Sequence, residues 1–182
     1  MGSTTMNKMM IDIETLGTGS DASILSIGAC IFTLNGGIGA TFEVNLKPDG
    51  RMIDPETVRW WLQQSKAAQN KLFDPEPMDP KTARLGLTRF IETFRPREFW
   101  ANGALFDLNI LRDFYNDYPP WKYNQEMCMR SIRSLGKSIG LSYGQWWANN
   151  NQDNVQHGAL DDAIRQAKYV IDVFNRAIHG KE

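Results

Sequence analysis

The chain has 182 residues, of which 42% are hydrophobic and 11% aromatic, and its charges sum to −1. This length and apolar content suit one domain with a sizeable core, and the near-neutral charge excludes a protein that holds nucleic acid by bulk positive charge alone. No apolar run approaches the roughly 18 residues of a membrane span, so we expect no membrane partner. Cys30 and Cys128 belong to no CxxC pair, which argues against a zinc site and favours a reducing cytoplasm.

We expect no signal peptide at the N-terminus, because MGSTTMNK lacks an apolar stretch. We expect residues 1–5 to be a disordered lead or a cloning remnant. Residues 6–182 are predicted to form a single domain.

Three short strands are predicted first: Met9–Leu16, Ile24–Phe32 and Thr41–Leu46. Each is rich in apolar or β-branched residues, and turn residues, including the Gly-rich LNGGIG, separate them. Short turns between consecutive strands favour an antiparallel meander.

Two carboxylates, Asp12 and Glu14, interrupt the first apolar strand. Residues two apart on a strand face the same way, roughly 6 to 7 Å from each other. Buried together, two ionised acids repel and raise each other's pKa unless a cation lies between them. The pair therefore predicts a divalent metal site. The alternative is an edge strand with one face in water, where the acids need no partner.

The middle of the chain predicts two helices. The first runs from Pro55 through Leu62, with Asp54 as N-cap, and is followed by the polar stretch QQSK. The proline-rich FDPEPMDP predicts a loop. The second helix, Lys81–Phe94, ends before Pro96.

A second candidate site lies in FWANGALFDLNILRDFY. A strand over Glu98–Ala101 and a turn at Asn102-Gly103 are predicted to lead into a helix whose apolar face is Leu105, Leu108, Leu111 and Phe114. Asp107 lies in the first turns of that helix, off the apolar row. It has two explanations: a favourable interaction with the helix dipole, or membership of a ligand site lined by its polar and glycine neighbours.

The last third predicts a helix through Arg130, Ile132, Leu135 and Ile139, then a loop that includes the polar run NNNQDN. A C-terminal helix follows, with an apolar stripe of Ala163, Ala167, Val170, Ile171, Phe174 and Ile178. His157, Asp161 and Asp162 precede that stripe. They suit either a site or an ordinary acidic first turn beside a surface histidine.

Together these candidate residues supply hard carboxylate oxygens and one imidazole. This donor set suits Mg²⁺ or Mn²⁺ rather than zinc. The motifs DIET, NGALFD and HGALDDA, in this order, resemble the DEDD superfamily of 3′-5′ exonucleases, in its DEDDh branch. The stretches TVRWWLQQS, PWKY and ALDDAIRQAKYV further resemble exodeoxyribonuclease VIII-like proteins of phages and bacteria, a group that includes exoribonucleases. The resemblance runs from about Met6 to Phe174.

The resemblance implies an α/β fold of the RNase H-like type: a mixed central sheet, three antiparallel strands then parallel strands, flanked by helices. It implies two Mg²⁺ or Mn²⁺ ions held by the metal-binding acids, and His157 as general base. Asp162 is preferred over Asp161 because the family places its final Asp five residues after the His. The implied metal ligands are Asp12, Glu14, Asp107 and Asp162.

The implied activity is hydrolysis of single-stranded nucleic acid from 3′ ends to 5′-monophosphates, with DNA slightly favoured over RNA. Two alternatives stay open: an exoribonuclease, and a nucleic-acid-binding protein of this fold without turnover. A cytoplasmic protein, and a homodimer, are further expectations. Aromatic side chains could stack on terminal bases, although core packing is the alternative for one of the two adjacent tryptophans. The substrate contacts expected are Thr15, Leu16, Asn102, Phe106, Trp60 and Trp61.

Overall fold

The computed structural model describes residues 7–72, 76–150 and 157–180. The predicted lead at residues 1–5 lies outside these ranges. So do positions 73–75 of the proline-rich stretch and residues 151–156, which include most of the polar run.

A five-stranded sheet forms the centre of the described chain, in the order β3-β2-β1-β4-β5. The first three strands are antiparallel, whereas β4 and β5 run parallel to β1. This arrangement confirms the predicted fold class. The strands are β1 (Lys8–Thr15), β2 (Ile24–Thr33), β3 (Gly37–Asn45), β4 (Glu98–Ala101) and β5 (Glu126–Cys128).

Helices cover both faces of this sheet. The α-helices of the described residues are α1 (Pro55–Leu62), α2 (Lys66–Leu72), α3 (Pro80–Phe94), α4 (Asp107–Phe114), α5 (Met129–Ser138), α6 (Tyr143–Asn150) and α7 (Ala159–His179). None of the helices within the described ranges is both long enough and apolar enough to cross a bilayer.

β1 is the central strand, so the edge-strand alternative for its two acids is wrong. Its odd-numbered residues, such as Ile11, pack against α3 and α4. Its even-numbered residues face α7, as Met10 does. Asp12 and Glu14 continue this even-numbered row and therefore point toward the N-terminal end of α7.

Two helices were missed by the sequence prediction. α2 begins after Ser65, whose hydroxyl accepts a hydrogen bond from the Ala68 N–H at 3.2 Å, an N-cap pattern inside the polar stretch. α6 replaces part of the predicted loop and takes in the first two asparagines of NNNQDN. It is held by tertiary packing, since Tyr143 and Trp146 lie against Tyr169 of α7 at ring-centroid distances of 4.8 and 5.4 Å.

Smaller differences concern element ends. β3 begins at Gly37, four residues before the predicted Thr41, because its first residues extend the pairing with β2. Leu105 is 93% exposed, since α4 begins only at Asp107. Ile178 is 64% exposed, because the last turn of α7 extends beyond the sheet it packs on.

The N-terminal end of α7 lies directly on β2 at Gly28. A Cβ atom at this position would come within 2.1 Å of the Ala159 carbonyl carbon and the Leu160 nitrogen. Gly28 is also the antiparallel partner of Asp12. The small buried residues Ala159, Ala163 and Ala167 bring the same helix face onto the sheet. This close approach places the start of α7 above the acids of β1.

Gly28→Ala is therefore expected to push α7 away from the sheet. Backbone atoms cannot yield as a side chain would, so we expect a loss of about 1 to 3 kcal/mol of stability or more and weaker Mn²⁺ binding. Thermal unfolding and isothermal titration would measure both. Gly39→Ala is the matched control, since its nearest neighbour outside adjoining residues would be 3.5 Å away. A Gly28→Ala protein with the parent's Tm and Mn²⁺ affinity would contradict this account.

Candidate metal centre and nucleic-acid site

The five residues of the predicted catalytic set lie around one open cleft of about 450 Å³, which we call the acid cleft. Asp12 and Glu14 come from β1, Asp107 is the first residue of α4, and Asp162 lies in the first turn of α7. His157 directly precedes the N-cap residue of α7. Residues distant in sequence meet here for two reasons. β1 and β4 are neighbours in the sheet, and α7 packs on the face of the sheet toward which Asp12 and Glu14 point.

The donor set fits a divalent cation. Ligand atoms of Glu14, His157 and Asp162 all lie within 4.8 Å of one another. Asp12 and Asp107 line the same cleft. Carboxylate oxygens with one imidazole suit Mg²⁺ or Mn²⁺.

Three acids of the cleft, Asp12, Glu14 and Asp107, carry pKa values above their ordinary range. Burial, followed by the negative charges of Asp107 and Glu14, raises the pKa of Asp12. Burial and the charge of Asp107 raise the pKa of Glu14 to about 8. Burial raises the pKa of Asp107 to about 7, although backbone N–H groups and Arg130 act in the opposite direction. Burial and mutual repulsion of this kind are relieved when a divalent cation binds between the carboxylates.

Asp161 and Asp162 point to different surroundings. Asp162 lines the acid cleft. Asp161 instead accepts a hydrogen bond from Lys71 Nζ at 2.6 Å, and Lys71 lies 3.5 Å from Glu43 of β3. Burial lowers the pKa of Lys71, but the bonds to these two acids outweigh it and raise that pKa overall. Asp161 thus fastens the start of α7 to α2.

Two further α7 residues at this site were missed by the sequence prediction. Gln166 donates a 2.7 Å hydrogen bond to Asp12 Oδ1. Arg165 is 2% exposed, pairs with Asp162, and its guanidinium carbon lies 3.7 Å from the ring centre of Trp147. Spacings of three and four from Asp162 place both on one helix face, which is the signal that would have found them.

His157 adopts a left-handed backbone conformation, with φ of 65°. Non-glycine residues in this conformation are uncommon and concentrate at functional sites. Its ring lies edge-on to Trp60 and Trp61, with centroid distances of 4.9 and 5.8 Å. Burial and the charge of Arg165 lower the pKa of the imidazole, which favours the neutral form near pH 7.

A second cleft of about 430 Å³ adjoins the first and shares Ile13, Glu14 and Phe106 with it. We call it the aromatic cleft. Trp60 is 42% exposed, whereas Trp61 is 2% exposed and its indole N–H donates to the Thr15 carbonyl at 2.8 Å. One tryptophan is thus accessible and the other belongs to the core.

The remaining predicted substrate contacts divide between the clefts and the core. Thr15 lines the aromatic cleft, and Asn102 lines the acid cleft. Leu16 packs with Leu25 in a small buried cluster and is absent from the described lining of both clefts.

The raised acid pKa values predict how stability changes with pH in EDTA. Unfolded acids release protons near 3.8 and 4.5, whereas folded Asp107 and Glu14 do so near 7 and 8. Between these limits the folded state binds more protons, so the free energy of unfolding falls as pH rises. His157, with its lowered pKa, acts in the opposite direction but is a single half-buried group.

We therefore expect Tm in EDTA to decrease from about pH 5 to about pH 8, and Mn²⁺ to stabilise most at the upper end, because the ligands must be deprotonated. Differential scanning fluorimetry across this range, with EDTA and with Mn²⁺, measures the effect. A Tm in EDTA that climbs steadily with pH would show that the acids are not buried against one another.

Known proteins resemble this chain in sequence and in fold. The family model of the 3′-5′ exoribonuclease Rv2179c-like domain matches residues 7–174. An exodeoxyribonuclease of Enterobacteria phage T4 is 25% identical over 131 residues, which cover 62% of this chain and 57% of that protein. The chain thus spans little more than half of that relative's length.

A solved structure shares the fold. The nuclease domain of 3′hExo, a DEDDh family member bound to rAMP, matches with a TM-score of 0.62 and 13% identity, over 98% of this chain and 94% of that one. The predicted DEDDh resemblance is confirmed. Since the family model spans nearly all of the described residues, the chain belongs to the Rv2179c-like family of 3′-5′ exoribonuclease domains.

Proposed function

We propose that this protein is a metal-dependent exonuclease that removes nucleotides from the 3′ ends of single-stranded nucleic acid as 5′-monophosphates. The observation that carries the proposal is the convergence of Asp12, Glu14, Asp107, His157 and Asp162 on one cleft. An accessible tryptophan in the adjoining cleft supports a nucleotide substrate.

The four carboxylates would hold a pair of Mg²⁺ or Mn²⁺ ions. When bound, such ions would supply positive charge that stabilises a phosphodiester under attack and would lower the pKa of a water nucleophile. His157 would accept the proton of the attacking water, because its lowered pKa keeps the imidazole neutral. Gln166 keeps Asp12 oriented through the 2.7 Å hydrogen bond, and Lys71 keeps α7 in place through Asp161.

The terminal base would enter the aromatic cleft. Trp60 and Phe106 offer it faces and edges for stacking, a contact that tolerates every base. The buried Trp61 packs against Trp60, with its ring centre 4.8 Å from that of Trp60. Glu14 and Phe106 line both clefts, so a nucleoside held in the second one would have its phosphate beside the acids.

The sugar of the substrate is either deoxyribose, as in DNA, or ribose, as in RNA. The phage relative is named as an exodeoxyribonuclease, which favours DNA, and the family description names exoribonucleases, which favours RNA. A binding protein without turnover is the weaker reading, because every position of the catalytic set is filled. Cytoplasmic location and a homodimer stay predictions.

The test is degradation of single- and double-stranded DNA and RNA of one sequence, each labelled at the 5′ end, in Mn²⁺. We expect a ladder that shortens from the 3′ end of single strands, with nucleoside 5′-monophosphates as the released product. Internal cuts, products that carry a 3′ phosphate, or intact substrate in all four cases would overturn the proposal.

A further inference from the structure

Arg130 is an exposed arginine in the first turn of α5, and its side chain lines the acid cleft. The guanidinium lies flat against Gly103, the residue at the turn between β4 and α4. A Cβ atom on Gly103 would be 3.0 Å from Nη2, 3.2 Å from Cζ and 3.5 Å from Nε of Arg130. Glycine at this turn therefore lets the guanidinium reach over the cleft wall toward Asp107.

The other arginines around this face are occupied. Arg133 lies 4.5 Å from the ring centre of Tyr143, with Nη1 3.5 Å from Asn102 Oδ1. Arg165 pairs with Asp162. Arg130 has no carboxylate within 4.0 Å among the residues that the structure describes. Its influence on Asp107 is a longer-range one that lowers that acid's pKa against the larger effect of burial.

Arg130 lines the acid cleft but belongs to no part of the described aromatic cleft. A terminal nucleoside in the aromatic cleft places the scissile phosphate at the acids. The rest of the strand must then leave on a side away from Trp60. Arg130, Asn102 and Gly103 line the acid cleft and contribute no carboxylate that would repel such a strand.

We propose that Arg130 binds the phosphate on the 5′ side of the scissile one, so that it selects a polynucleotide strand over an isolated phosphodiester. A guanidinium suits this contact because its planar donors match phosphate oxygens in a bidentate way. The inference rests on the proposed function, since it assumes the strand polarity given there. Arg130 contacts substrate without taking part in the proton transfer.

Binding is the first test. Fluorescence anisotropy with a fluorescein-labelled oligodeoxythymidylate and an oligouridylate, both carrying 3′-terminal phosphorothioate linkages, would be recorded in Ca²⁺ at several salt concentrations. Arg130→Ala should bind either strand about 10- to 100-fold more weakly and lose about one unit from the slope of log affinity against log salt. Arg130→Lys should keep the slope while recovering only part of the affinity, because it retains charge but not the planar fork. Lys137→Ala, an exposed charge loss on the same helix, should match the parent.

Turnover is the second test. The p-nitrophenyl ester of thymidine 5′-monophosphate has one phosphodiester and no upstream phosphate. In Mn²⁺, Arg130→Ala should lose a much larger share of its kcat/KM on the single strand than on this ester. Parental affinity and salt slope in Arg130→Ala would overturn the inference, as would equal losses on ester and strand.

The proposed function can fail separately. A parent protein that binds the strand but cleaves neither substrate would overturn the exonuclease proposal, while the binding comparison still decides the role of Arg130. A parent that binds neither strand would overturn both.

Discussion

Asp162→Asn should cleave a single strand more slowly than the parent by a factor on the order of a thousand or more. The substitution removes a carboxylate that orders the catalytic metal. Asp161→Asn should remain within about threefold, since its amide oxygen can still accept from Lys71 and the lost charge of a first-turn acid contributes only about 0.3 to 1 kcal/mol. The two side chains are adjacent in sequence, yet one lines the acid cleft and the other pairs with Lys71. Single-turnover rates at saturating Mn²⁺ would make the comparison.

His157→Ala should fall between these two variants. The carboxylates remain, and a positioned base contributes roughly a hundred- to ten-thousandfold. Thermal unfolding of all three variants serves as the folding control, because a slow variant that is unfolded says nothing about ligands. The assignment is wrong if Asp161→Asn is the inactive protein and Asp162→Asn cleaves at the parent's rate.

Asp12→Asn should also be nearly inactive, and yet more stable than the parent in EDTA. The substitution keeps the shape and the oxygen that accepts from Gln166. It removes the buried carboxyl group of Asp12, whose pKa is raised by burial and by two neighbouring acids. Relief of that repulsion should raise Tm above the parent's at pH 8, where Asp107 and Glu14 are increasingly ionised.

Asp107 is a less clean position for the same test, because its oxygens accept from the backbone N–H groups of Ile13 and Gly103 at 3.4 and 3.3 Å. Glu92→Gln removes an exposed acid of α3 and provides the charge control. Near-parental cleavage by Asp12→Asn would remove Asp12 from the metal centre. A sharp fall of its Tm in EDTA would contradict the repulsion argument.

The acids could be predicted because each breaks a local pattern. Asp12 and Glu14 interrupt an apolar strand, and the period of two along a strand is enough to put them on one face. Asp107 and Asp162 lie 93 to 150 residues further along the chain, and local periodicity does not encode contacts over such separations. The ordered motifs supplied that step through the resemblance.

What escaped prediction depends on tertiary contacts. In the sequence, nothing distinguishes Gly28 from another strand glycine. Its role follows only from the contact with the backbone of α7. α6 has a polar sequence and is stabilised by the packing of Tyr143 and Trp146 against Tyr169. Arg130 and Arg165 look alike in sequence, and only burial separates the exposed one from the one paired with Asp162.

We expect the acid cleft to be a cation-dependent phosphodiesterase centre. The most direct measurement is the release of nucleotides from the 3′ end of a labelled single strand by the parent protein, with Mg²⁺, with Mn²⁺ and with excess EDTA. We predict cleavage with at least one of the two metals, none in EDTA, and recovery when Mn²⁺ is restored in excess. Full activity in EDTA would contradict the account.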